Sequence, residues 1–278
     1  MRLARLAFRG GVGAAVVRDG RAAPVPGYPD VGAILAAGDA GMAAAGAAAE
    51  TGEWQAFADE DLRSPIASPS AVFCVGLNYA THIREMGREL PEHPTLFSKL
   101  ARTLTDPFAT VPLPSVSDQV DYEGELVIVI GQRGRDIDLE AAEAHIGGYC
   151  LMNDVSMRDW QQRTLQWFAG KNFERSTPVG PFVVTPDEFS PSRETLEVTV
   201  NGELRQRAPL ADLVFGAPQL IADISRLTTL EPGDLIATGT PGGVGHAMKP
   251  PSYLRAGDVV EVRVGAIGAL RNLFETSA

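Results

Sequence analysis

Glu123 and Glu125 stand one residue apart at the head of the apolar run Leu126-Val127-Ile128-Val129-Ile130. Alternate side chains of a strand point to one face, so this spacing aims both carboxylates into the same space. Two like charges that close repel each other unless a cation lies between them, and hard oxygen ligands of this kind suit magnesium, manganese or calcium. Carboxylates at i and i+2 are also common on the solvated face of an edge strand, where they need no ligand. The run that follows separates the two cases. It is apolar without alternation, as in a strand buried on both faces, and carboxylates entering such a strand are costly without a partner. The pair therefore predicts a divalent-metal enzyme.

Other residues extend that chemistry. Asp154 follows the apolar stretch Tyr149-Cys150-Leu151-Met152, where it is placed to complete a three-oxygen site with Glu123 and Glu125; it is equally placed to cap the helix expected over 155–163. His82 and Glu85 fall on one face of a helix expected over 80–87, so Glu85 would orient the imidazole and raise its basicity as a general-base dyad. The same spacing also describes a weak surface pair. His93, His145 and His246 have no comparable neighbour and read as ordinary. Lys171, between Gly170 and Asn172, would supply positive charge to an anionic intermediate, although most lysines are simply solvated.

The elements that must position these residues are mostly strands. Runs at 71–75, 125–130, 180–185, 196–200, 203–207, 234–238 and 258–264 read as β, with Asn201-Gly202 as a hairpin turn, and helices are expected over 80–87, 138–145, 155–163 and 216–227. Before them, residues 1–26 alternate as a small meander with its own Asp19-Gly20 turn. Asp30 then caps an alanine-rich helix interrupted at Gly38 and Gly41. This predicts a mainly β chain with flanking helices (α+β), divided into a small N-terminal α/β domain (1–65) and a catalytic domain (66–278). Two glycine-rich stretches, Gly10–Gly13 and Gly239–Gly245, do not read as nucleotide loops, since neither opens a helix.

Composition narrows the function classes. The 278 residues are 45% hydrophobic with a formal net charge of −11 and a pI near 4.9, which argues against nucleic acid as a partner. No apolar stretch has the length of a membrane helix, and Cys74 and Cys150 are isolated in apolar surroundings, so a reduced, cytoplasmic protein without a membrane partner is expected.

The ordered motifs resemble the fumarylacetoacetate hydrolase family. They are Gly76-Leu77-Asn78-Tyr79 through Met86, Pro94 through Lys99, Asp121-Tyr122-Glu123-Gly124-Glu125-Leu126, Asn153-Asp154-Val155-Ser156 with Arg158-Asp159-Trp160-Gln161, Gly170-Lys171, Gly180 through Thr185, Val200-Asn201-Gly202 and Thr238 through Gly245. The resemblance implies a mixed β-sandwich roll, usually a homodimer, with magnesium or manganese (calcium also possible) on Glu123, Glu125 and Asp154. It also implies His82 and Glu85 as a water-activating dyad on a lid, Lys171 in contact with the substrate, and Arg158, Gln161 and Thr240 lining the pocket. The chain departs from the pattern at Asn78, where the fumarylacetoacetate hydrolases proper carry a further carboxylate ligand, which points to the smaller acylpyruvase-like branch. Leu100 after Lys99 and the small Gly124 differ from many relatives in ways expected to touch pocket shape. The activity implied is hydrolysis of a carbon–carbon bond in a β-diketo, acylpyruvate-like substrate, a small anionic 2-keto acid. Decarboxylation of an oxaloacetate-like acid or isomerisation of a 2-hydroxy-dienedioate is the alternative, and a non-catalytic metal-binding module a remote one.

Overall fold

The apolar run after Glu125 forms the strand Gly124–Ile130, and every residue of it is buried. In the computed structural model, which describes residues 1–276, this strand lies between two cores. Leu126, Ile128 and Ile130 face one of them, together with Leu196, Val198 and Val262; Val127 and Val129 face the other, together with Leu3, Val31 and Ile34. Apolar demand on both faces is why the sequence shows no alternation there.

The protein is mainly β. Its larger sheet runs from the N-terminal strands through Arg2–Phe8, Thr177–Val184, Ile146–Asn153 and Gly124–Ile130 to Leu235–Ala237, Val72–Gly76 and Thr95–Ser98. A five-stranded sheet built around Thr195–Val200 and Val259–Val264 packs on one face of it. Pairing is mostly antiparallel, with Leu235–Ala237 parallel to Val72–Gly76. The second sheet packs tightly on Gly124, where an added Cβ would lie 2.3 Å from Val198 Cγ2. The expected influence of this glycine on pocket shape is thus corrected: its open side faces the second sheet, as strand alternation from Glu123 and Glu125 requires.

The N-terminal segment joins the same sheet. Arg2 pairs with Val184, and Leu3, Val16, Val31 and Ile34 share a core with Val127, Cys150 and Val183. Asp19 and Gly20 both take positive φ (50° and 70°), as a two-residue turn between Arg18 and Arg21 demands. Asp30 caps the helix Val31–Ala36 by accepting from Ala33 N at 2.8 Å. Chain direction breaks at Gly38, while Gly41 sits inside the next helix, Asp39–Thr51. An added Cβ at Gly41 would fall 2.0 Å from the Ile34 carbonyl oxygen, so its role is close helix crossing rather than interruption.

Other expectations shift in detail. The helix over 155–163 shrinks to a single turn, Arg158–Gln161, entered through the short strand Ser156–Met157, and 138–145 is a 3₁₀ helix, Leu139–His145. Strands at Thr95–Ser98 and Gly268–Thr276 were not signalled by the sequence pattern. Cys74 and Cys150 are buried free thiols. No helix among the described residues is long and apolar enough to cross a membrane.

Candidate active site and metal centre

The strand Gly124–Ile130 and its neighbour Ile146–Asn153 end at the same edge of the sheet, with Gly124 opposite Asn153. Their mouths therefore bring Glu123, Glu125 and Asp154 together. One oxygen from each lies within 4.8 Å of the others, and all three residues are buried. Asp154 N donates to Glu123 O at 2.8 Å, and Glu123 N donates to Asn153 Oδ1 at 3.0 Å, so the backbone of each acid is fixed by the other's strand. Asp154 does not cap the helical turn that follows, because the N-cap position there is Met157.

Glu123 and Asp154 share Lys171, and each has a further cation of its own. Glu123 Oε1 is 2.6 Å from Arg158 Nη1, and its Oε2 accepts from Lys171 Nζ at 2.7 Å. Asp154 accepts from Lys171 Nζ at 2.7 Å and from Lys99 Nζ at 2.6 Å. Burial alone would raise the Asp154 carboxyl, yet Lys171 and Lys99 outweigh it and hold the group below its usual range. Among the described residues Glu125 has only the Gly239 backbone N–H, at 2.7 Å. Burial, and then the charges of Asp154 and Glu123, push its carboxyl well above the usual range. The acid without a cationic partner is therefore the one most in need of a positive charge. This donor set fits a hard divalent cation.

Arg158 and Lys171 are themselves held in place. Asp121, fully buried, accepts from Arg158 Nε at 2.9 Å, and its two oxygens also receive the N–H groups of Gly245 and His246. Burial works against the Lys171 and Arg158 charges, but the surrounding carboxylates win and raise both above their ordinary values. Gln161 Oε1 accepts from Arg158 Nη1 at 3.0 Å. Thr240 donates to Gly124 O and accepts from Gln206 Nε2.

A cavity of about 270 Å³ opens over these groups. Glu123, Arg158, Gln161, Lys171, Thr240 and His246 line its polar side, and Leu77, Met86, Phe97 and Trp167 its apolar side. His82 also lines it, half-buried on the helix Ala80–Glu85, and burial lowers its pKa despite the opposing charges of Glu85 and Glu123. Glu85 and His82 both face Gly242, whose added Cβ would be 3.0 Å from His82 Nδ1 and 3.5 Å from Glu85 Oε2, but no hydrogen bond joins the two side chains. The turn into this helix is built around Leu77, at φ 55°, and is pinned by Asn78. Asn78 Nδ2 donates to the Phe215 and Thr238 carbonyls, and Oδ1 accepts from Phe215 N. Its side chain is committed to the scaffold.

Residues 71–275 match the model of the fumarylacetoacetate hydrolase C-terminal domain. The chain belongs to the fumarylacetoacetate hydrolase family. It is 44% identical over 216 residues, 76% of this chain and 72% of the relative, to the oxaloacetate tautomerase YisK of Bacillus subtilis. It is 42% identical over 212 residues to the mitochondrial oxaloacetate tautomerase FAHD2B of Bos taurus, covering 75% of this chain and 68% of that one. The fumarylacetoacetate hydrolase of Exiguobacterium antarcticum superposes over the whole of both chains with a TM-score of 0.89 at 35% identity. A maleylpyruvate hydrolase from Sphingobium sp., solved with manganese(II) and pyruvate, does so with a TM-score of 0.83 at 28% identity.

Within this family member, several polar site residues have no role in the sequence reading. Lys99 and Asp121 stood inside motifs without an assigned contact. Gln206 reads as one polar position in a hairpin strand, yet it is buried and accepts from Gly124 N between the two glutamates. His246 read as ordinary; it lines the cavity and is bridged by hydrogen bonds to Gln162 and Tyr253.

Proposed function

We propose that this protein is a divalent-cation-dependent enzyme that binds a small 2-keto acid and moves a proton at the carbon next to its keto group, interconverting the enol and keto forms of an oxaloacetate-like dicarboxylate. The observation that carries the reading is the charge balance of the site. Four buried carboxylates, Asp121, Glu123, Glu125 and Asp154, face three buried cations, Lys99, Arg158 and Lys171. A dication at the triad turns that single excess negative charge into a single positive one, and the site becomes a trap for an anion. The relatives named as oxaloacetate tautomerases support the substrate class.

A magnesium or manganese ion held by Glu123, Glu125 and Asp154 would supply Lewis acidity to the keto oxygen. The rest falls to the chain. Arg158, with Gln161 beside it, offers donors to the substrate carboxylate, and Lys171 places a fixed positive charge where negative charge grows as the proton leaves. His82, which burial keeps neutral near pH 7, has an imidazole free to accept that proton and return it to the other atom. Phe97 and Trp167 shield the reacting carbons from water.

Carbon–carbon hydrolysis is the second reading, favoured by the presence of both His82 and Glu85 on the helix beside the cavity, where a water could be activated. Metal-loaded protein mixed with the enol form of oxaloacetate tests both. Loss of enol absorbance faster than the metal-only control, abolished by EDTA, is expected. No acceleration, together with acetate and pyruvate appearing from acetylpyruvate, would replace the first reading with the second.

A further inference from the structure

The strand Gly124–Ile130 parts from its neighbour Leu235–Ala237 just where it reaches the carboxylates. Val127 pairs with Ala237, and Thr238 N still donates to Leu126 O at 2.9 Å. Two residues on, the same register would set Thr240 against Gly124, whose N–H and C=O point to the same side as those of Leu126. The ladder does not close there, and the side chain of Gln206 stands in the gap. Gly124 N donates to Gln206 Oε1 at 3.1 Å, and Gln206 Nε2 donates to Thr240 Oγ1 at 2.8 Å. Thr240 Oγ1 in turn donates to Gly124 O at 3.0 Å. A closed cycle of hydrogen bonds thus satisfies both backbone groups of the residue between Glu123 and Glu125.

Gln206 comes from the other sheet. It lies in the strand Glu203–Pro209 opposite Val198, buried like Ala208 two positions on. The pairing skips Arg205, an irregularity of the kind that re-aims a side chain. A carboxamide among apolar neighbours is costly unless its polar atoms are engaged. Gln206 Nε2 also donates to Pro241 O at 2.8 Å, so both ends of the amide are used. Gly243 brings the loop against the same strand, since an added Cβ there would lie 2.0 Å from Arg205 O and 3.3 Å from Gln206 Cα. Held at that distance, the loop directs Gly239 N to Glu125 Oε2, at 2.7 Å.

We propose that Gln206 is a positioning residue of the metal centre: its carboxamide spaces the 239–243 loop from Gly124 and thereby sets the Glu123 and Glu125 carboxylates for a cation. Gln206 does not line the cavity and acts through Gly124, Thr240 and the loop. The inference rests on the metal-centre reading and deepens it.

Titration of the metal-stripped protein with manganese(II), followed by the electron paramagnetic resonance signal of the free ion, tests it without reference to turnover. Gln206→Met keeps the length of the side chain and removes all its hydrogen bonds. Gln206→Asn keeps an amide, which eases folding, but is one methylene too short to reach Gly124 N and Thr240 Oγ1 together. Either variant, folded by circular dichroism, is expected to bind manganese about tenfold to a hundredfold more weakly than the wild type, the usual loss when a ligand's support is removed. Ala208→Gly loosens the same strand without touching the cycle and should leave the affinity within about twofold. Thr240→Val should also weaken binding, and the loss in the double variant with Gln206→Met should fall short of the two single losses combined, because both break one cycle. An affinity within twofold of wild type in a folded Gln206 variant, an equal loss in Ala208→Gly, or fully additive losses overturns the positioning role and spares the metal centre. Failure of the wild type to bind manganese overturns the metal centre and this role with it.

Discussion

Lys99 sets its ammonium 2.6 Å from Asp154 Oδ1, with both side chains fully shielded from solvent. Removing one member of a buried ion pair costs about 3–5 kcal/mol, because the other charge is left in a medium that solvates it poorly. Lys171 still serves the second oxygen of Asp154, so the low end of that range applies. Lys99→Met is expected to lose about 3 kcal/mol in urea unfolding. Adding Asp154→Asn should recover part of the loss, and strictly additive effects of the two substitutions would show that the pair is not coupled.

That contact also shows where sequence reasoning stops. Glu123 and Glu125 were legible because strand alternation is local: two positions apart means one face. The apolar run after them revealed a strand buried on both sides for the same reason. Lys99 and Asp154 are 55 positions apart, and nothing near Lys99 distinguishes it from a solvated lysine. Gly147 and Gly148 hide the first half of the strand Ile146–Asn153 by resembling a turn, whereas Gly147 is there to pass within reach of Gly131 and Leu35. The strand Gly268–Thr276 is masked by Asn272, a buried polar residue at an inward position that donates to Ala109 O at 2.7 Å. In each case the deciding partner comes from a distant part of the chain.

Glu125 offers a way to separate metal binding from folding. Among the described residues no cation pairs with it, and its carboxyl is raised by burial and by Asp154 and Glu123. Glu125→Gln keeps the volume and the acceptor for Gly239 N while removing the charge. The metal-free variant is expected to melt at the same temperature as the metal-free wild type or higher. Added magnesium should no longer raise its melting temperature, whereas the wild type gains about 2.7 kcal/mol at a hundredfold excess over Kd. A retained magnesium shift would remove Glu125 from the ligand set.

Gly76 lies against the indole of Trp167, and an added Cβ would come within 2.3 Å of its Cζ3. Trp167 also packs edge-on to Phe97, with ring centroids 5.5 Å apart, so the ring cannot shift without opening the apolar side of the cavity. Gly76→Ala is expected to cost about 1–3 kcal/mol through overpacking. It should also raise KM for the 2-keto acid more than it lowers kcat, since the donors to the carboxylate are untouched. Steady-state kinetics on the variant would contradict this arrangement if KM stayed at the wild-type value.

The pH dependence follows from His82. Burial lowers its pKa from the ordinary histidine value of about 6.5, and the charges of Glu85 and Glu123 only partly oppose that. A base with a lowered pKa stays neutral further into acid, so the acid limb of kcat/KM should lie below the pH at which an ordinary histidine would place it. Glu85→Gln removes a negative charge that raises the His82 pKa, and the acid limb is expected to move to still lower pH. His82→Gln should remove the limb along with most of the turnover. A limb that stays in place in Glu85→Gln would mean that the carboxylate does not reach the imidazole during turnover, and that Glu85 serves the helix rather than the proton transfer.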